Sequence, residues 1–149
     1  MECTRVQVGN LVYNLAEGQP VDVGVGDTLR VFYSFSYIVP QTVNASIWGS
    51  LYRYTLGILD RSSNAQTKSS ITLEASPEWQ TYQGQIDIVI GSIDSGLWGL
   101  IVELPGYDGA EAKIDNCIQV AAAGGITDLL PVLTMVMMMG MVMPMMEEE

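Results

Sequence analysis

The twelve residues TLRVFYSFSYIV, Thr28 to Val39, do most to constrain the fold. In an extended chain, Leu29, Val31, Tyr33, Phe35, Tyr37 and Val39 share one face. Arg30, Ser34 and Ser36 share the other, with Phe32 and Ile38 as exceptions. A period of two sorts these residues into a core side and a solvent side, and a helical period does not. GVGD, Gly24 to Asp27, supplies a turn into this strand, and Pro40 ends it. TVNASIWGSLYRY alternates in the same way. It predicts Val43, Ala45, Ile47 and Leu51 toward the core, and Asn44, Ser46, Trp48, Ser50, Tyr52 and Tyr54 away from it.

Further strands are expected at SITLEA, GQIDIVIG, GLWGLIVELP and AKIDNCIQV, with Pro77, Gly84, Gly91, Gly96, Pro105 and Gly106 as punctuation. DRSSNAQTKSS, Asp60 to Ser70, has no apolar anchor and reads as a polar loop. No stretch before residue 120 patterns as an amphipathic helix. The expected fold is therefore mainly β: a single antiparallel β-sandwich over residues 1–120, jelly-roll or immunoglobulin-like.

The pattern changes at AAAGG, Ala121 to Gly125. Residues 121–128 read as a small-residue hinge and helix cap, with Thr127 or Asp128 capping and Pro131 in the first turn. Residues 129–149 then read as an apolar, methionine-rich helix with an acidic end, ended or kinked at Pro144. Leu129 to Met146 carries no charge and would extend about 27 Å as a helix. A bilayer core is about 30 Å thick, so the length is marginal for a span, and no Lys or Arg follows to orient it. A helix apolar on every side must be buried on every side. Three destinations are open: a lipid bilayer, a bundle of identical helices, or an apolar surface on another partner. In each, Leu129, Leu130, Leu133, Val136, Met139 and Met143 would make the attachment.

Charge and residue content narrow the function. The chain has net charge −11 with only six Lys and Arg, scattered along its length. Nucleic-acid binding needs a basic footprint, and an anionic membrane surface would repel such a chain. Histidine is absent, which removes imidazole acid–base chemistry, Ser-His-Asp triads and histidine-ligated zinc. No motif singles out a carboxylate pair, so no enzyme is expected. The N-terminus, MECTRVQVGN, shows neither the basic nor the apolar region of a signal peptide. By alternation, both Cys3 and Cys117 point to the polar side of their strands. If the first and last strands are neighbours, a disulfide between them is possible, against two free thiols. Closing so long a loop would contribute about 4–5 kcal/mol in the entropic picture.

SSITLEASPEWQTYQGQIDIVIG, GLWGLIVELPG and AKIDNCIQV together resemble the second half of carbohydrate-binding-module jelly rolls. The matching positions are Trp79, Gln80 and Tyr82 in a Trp-Gln-x-Tyr strand, and Ile114, Asp115 and Asn116 in a closing strand. VDVGVGDTLRVFYSFSY is similar to the opening of an immunoglobulin-like sandwich, so topology stays open between the two. The module resemblance implies sugar binding on aromatic platforms, with Trp48, Tyr52 and Tyr54 the leading candidates, then Trp98. Trp79 is expected as a core anchor. The resemblance also implies a structural calcium, for which Asp115 holds the matching position and Asp94, Asp108 and Glu111 lie in nearby loops.

The expected function is a non-catalytic structural protein, a repeated surface component of a virion or cell envelope. It would form a homo-oligomer or larger assembly, or attach to a bilayer, through its C-terminal helix. The alternative is a membrane-tethered carbohydrate-binding module with a glycan as partner.

Overall fold

Alternation becomes two sheets in the structure, a computed structural model that describes residues 1–107 and 109–121. The strands are β1 (Glu2–Val8), β2 (Leu11–Asn14), β3 (Val21–Val23), β4 (Thr28–Tyr37), β5 (Val43–Thr55), β6 (Ile58–Leu73), β7 (Gln80–Val89), β8 (Gly96–Glu103) and β9 (Glu111–Val120). One sheet has the order β2-β1-β4-β7 and the other β3-β9-β8-β5-β6. Asp108 lies outside the described residues. So does the expected helix, with Leu129, Leu130, Leu133, Val136, Met139 and Met143. Among the described residues, no helix is long and apolar enough to cross a membrane.

The two inner faces meet in one core. Leu29, Val31, Tyr33 and Phe35 of β4, with Ile86 and Ile88 of β7, are buried as alternation requires. They pack in one cluster with Ala45, Ile47 and Leu51 of β5 and Leu100 and Val102 of β8. Gly49 marks a close approach between the sheets, because a Cβ there would come within 3.2 Å of the Ile86 and Ile88 side chains.

Pairing is not wholly antiparallel, which corrects the expectation. β3 runs parallel to β9, with Val21 opposite Ile118 and Val23 opposite Val120. The chain crosses from β2 in one sheet to the edge of β9 that β8 leaves open, and it arrives there running in the direction of β9. The polar loop expected at Asp60 to Ser70 is instead part of β6. Thr55 pairs with Ile58 across a two-residue turn, Leu56-Gly57, so β6 continues directly from β5. β6 is an edge strand, and an edge strand can stay polar on both faces, which leaves no period to read. Ala65 is the fully buried exception in that stretch.

Two further expectations fail for local reasons. Trp79 is 70% exposed rather than a core anchor, because it precedes the first residue of β7 and lies off the sheet. Tyr82 does the packing instead, stacked with Phe35 at 5.3 Å and Tyr33 at 6.1 Å between ring centroids. Cys3 and Cys117 do not face the polar side: both are buried in the core as free thiols. In β1 the register slips between Cys3 and Arg5, so Cys3 and Val6, three apart, both point inward. In β9 an irregularity opposite β8 brings the adjacent Cys117 and Ile118 both to the core.

Burial pushes the thiols of Cys3 and Cys117 up to about 12, against 9.0 when unconstrained. Burial also raises the Tyr33 and Tyr52 phenols. Between about pH 9 and about 12 the folded state therefore holds more protons than the unfolded state, and stability falls as pH rises through that window. Below it these groups are protonated in both states, so their contribution is fully present and flat. Cys117→Val is expected to make the alkaline fall shallower, as read from urea midpoints taken from about pH 8 to about pH 11. An unchanged slope would show that Cys117 ionisation does not limit alkaline stability.

Candidate functional site

The outer face of the five-stranded sheet carries a hollow of about 300 Å³ lined by Tyr52, Arg53, Tyr54, Leu97, Gly99, Asp115 and Asn116. Its floor begins with a missing side chain. Tyr52 of β5 sits opposite Gly99 of β8, and the tyrosine ring occupies the space a Cβ at 99 would need. This lets the ring lie flat against the sheet and become 1% exposed, though it stands outside the inter-sheet core.

The partner strand deforms around the same point. Trp98 pairs with Ile118 and Leu100 with Ile114, so Gly99 alone faces Asp115, Asn116 and Cys117. Asn116 takes a left-handed backbone, φ 51°, a conformation that asparagine tolerates better than most residues. The deformation brings Asp115 to the tyrosines. Tyr52 and Tyr54 both donate their hydroxyls to Asp115 Oδ1, the second at 3.1 Å. The two rings meet edge to face, 5.6 Å apart. Lys113 Nζ donates to the Tyr54 hydroxyl at 3.2 Å.

Electrostatics follow from this geometry. Burial first, and then the hydrogen bond to Asp115, holds the Tyr52 phenol well above its usual range, so it remains a neutral donor. The hydrogen bond to Tyr54 raises the Lys113 ammonium, which keeps its charge. One flank is closed by Arg53. Its guanidinium stacks 4.0 Å from the Trp98 ring centroid, donates to the Ser95 carbonyl at 2.8 Å and approaches Asp94 at 3.5 Å. Chemically the site offers hydrogen bonds from fixed positions, a positive charge at Lys113 and the half-exposed face of Tyr54.

Tyr52, Tyr54 and Asp115, three of the residues expected to bind ligand or metal, therefore come together. Trp98 lies directly behind them but is 7% exposed, covered by Arg53, with its indole N–H donating to the Asp94 carbonyl at 2.9 Å. Trp48 is elsewhere, six residues and roughly 20 Å along β5 from Tyr54. There it packs under Lys68, beside the two-pronged Arg61–Glu103 ion pair. Asp94 is 89% exposed, and Glu111 stands opposite Glu103 near the other end of β9. Among the described residues, no group of three or more Cys, Asp and Glu is placed to share a metal ion.

Sequence reasoning missed Gly99, Arg53 and Lys113. Gly99 left a signal, since a glycine inside the apolar run GLWGLIVE marks a place where something approaches the backbone closely. Compared with known proteins, the chain matches no protein family and no curated protein.

Asp115→Ala would leave the buried Tyr52 hydroxyl without its acceptor, with an expected loss of about 1–3 kcal/mol in urea unfolding. Tyr54→Phe, at a half-exposed ring, is expected to cost under about 0.5 kcal/mol. Equal losses in the two variants would overturn the assignment of Tyr52 as the dependent partner.

Proposed function

We propose that the protein is a non-catalytic structural component, a repeated surface element of a virion or cell envelope. In this reading a jelly-roll-like β-sandwich is attached or assembled through Leu129 to Met146. The chain passes between sheets at β2–β3, β3–β4, β4–β5, β6–β7 and β7–β8, as such a wrapped sandwich requires.

One observation carries the proposal. At Ala121 the backbone N–H donates to the Val23 carbonyl at 2.9 Å, which completes the β3–β9 edge after both sheets have already formed a shared core. The chain then continues into a segment without a charged residue from Leu129 to Met146. In this reading the segment takes apolar surroundings outside the sandwich core. Lipid and neighbouring copies of the segment both supply them. Methionine, unbranched and polarizable, adapts to either.

A second reading, a membrane-tethered carbohydrate-binding module, is favoured by the hollow beside Tyr54. An aromatic face next to a carboxylate and an ammonium suits a small polyhydroxylated ligand.

Light scattering on the full chain in detergent-free buffer, beside a truncation ending at Gly125, tests the main proposal. A defined oligomer that becomes a monomer on truncation supports assembly. A full chain soluble only in detergent, beside a monomeric truncation, supports a bilayer. A full chain that is monomeric without detergent refutes the attachment role. For the second reading, glycan-array binding abolished by Tyr54→Ala is the expected result, and an array with no bound glycan argues against it.

A further inference from the structure

Leu56 is a residue that neither the backbone nor the core asks for. It occupies the first position of the two-residue turn between β5 and β6, where both Leu56 (φ 53°) and Gly57 (φ 81°) are left-handed. Asn-Gly is the favoured pair for such a turn, and a leucine there is sterically penalised. Its side chain gains nothing in return within the domain, being 98% exposed. Ile58, the next side chain beyond the turn, is 71% exposed.

The strand registers place other exposed apolar side chains at the same end. Tyr52 pairs with Gly99, which sets the β5–β6 turn beside the start of β8, where Leu97 is 45% exposed. Gly96 pairs with Val120, and Val120 with Val23, so the β3–β4 turn bearing the 45% exposed Val25 lies there too. Thr28, just past that turn, pairs with Val89, which is 58% exposed. Ala121, bonded to Val23, is where the described chain leaves the sheet, at this same end. Seven residues, 122–128, then lead to Leu129, eight steps from Ala121 and a reach of at most about 29 Å. The uncharged segment therefore begins within that distance of Ala121, which lies at the same end of the domain as Leu56.

We propose that this end of the domain is a lipid-contact surface, with Leu56, Ile58, Val25, Val89 and Leu97 entering the apolar margin of the bilayer that receives Leu129 to Met146. The inference rests on the proposed attachment role and selects its bilayer form. The apolar side chains stand on separate turns and strand ends rather than on one strand face. Such scattered tips suit a fluid partner better than a protein surface that must match them in shape. Asp27 and Asp60 are exposed close to them in sequence, and the chain carries net charge −11. The surface therefore fits a zwitterionic bilayer and is repelled by an anionic one.

The test uses the full chain with a fluorophore on Leu56→Cys or, at the opposite end of the domain, on Glu78→Cys. Cys3 and Cys117 are buried thiols pushed up to about 12, so labelling at neutral pH is directed to the introduced cysteine. The probe is a phosphatidylcholine vesicle carrying nitroxide on its acyl chains. Expected is flotation of both labelled chains, with at least twofold quenching at position 56 and none at 78. Flotation with position 56 unquenched overturns the contact surface while leaving the attachment role standing. No flotation, with position 56 unquenched, removes the bilayer form of both. Concentration-dependent self-quenching at position 56 without vesicles assigns the surface to a second copy and overturns the lipid assignment.

Discussion

The absence of a side chain at Gly99 is the constraint on which the outer face of this protein depends. A tyrosine ring lying flat over a neighbouring strand needs that strand to be bare, and Tyr52 finds this at its register partner. Once the ring is seated, its hydroxyl is buried and must have an acceptor. Asp115 provides one, and it reaches the ring because three residues of β9 pass where β8 spends one. The same deformation turns Asn116 left-handed and carries Cys117 into the core. The hollow, the carboxylate and the buried thiol are thus consequences of a single packing decision.

The arrangement has a counterpart in the other sheet. Tyr33 of β4 stands opposite Gly84 of β7, again with its ring in the space a Cβ would take. There the tyrosine faces inward and joins a stack with Phe35 and Tyr82, so its ring serves the core. Aromatic rings covering strand glycines restore packing where the chain lacks it. Placed on an inner face the device thickens the core; placed on an outer face, at Tyr52, it builds a second small buried cluster with a polar opening.

Strand positions were legible in the sequence wherever a strand has one buried face. Leu29, Val31, Tyr33 and Phe35, and likewise Ala45, Ile47 and Leu51, are buried on schedule. Alternation failed where the ladder slips. Parity put both cysteines on the polar side, and one slip in β1 and another in β9 reversed both. It also failed for β6, whose polar residues on both faces leave no periodic signal at an edge. At the site, parity correctly put Tyr52 and Tyr54 off the core face. It gave no hint that Tyr52 would be buried there, because that depends on a glycine more than forty residues away in sequence. Trp48 and Tyr54 share a face but not a neighbourhood, since parity sets the side of a strand and not the distance along it.

The polar groups of the hollow are held in place by one another. Asp115 accepts two phenols on Oδ1, and burial holds the Tyr52 phenol above its usual range, so that phenol stays a neutral donor. A carboxylate clamped in this way is a fixed acceptor, and fixed acceptors recognise hydroxyl or amide donors at low cost in lost freedom. Tyr54 and Leu97 belong both to this hollow and to the end of the domain from which the chain leaves. In the proposed attachment, a ligand held at Tyr54 would therefore sit beside the supporting surface rather than at the far tip of the domain. That position suits groups displayed close to that surface, and it makes the recognition and attachment readings parts of one geometry.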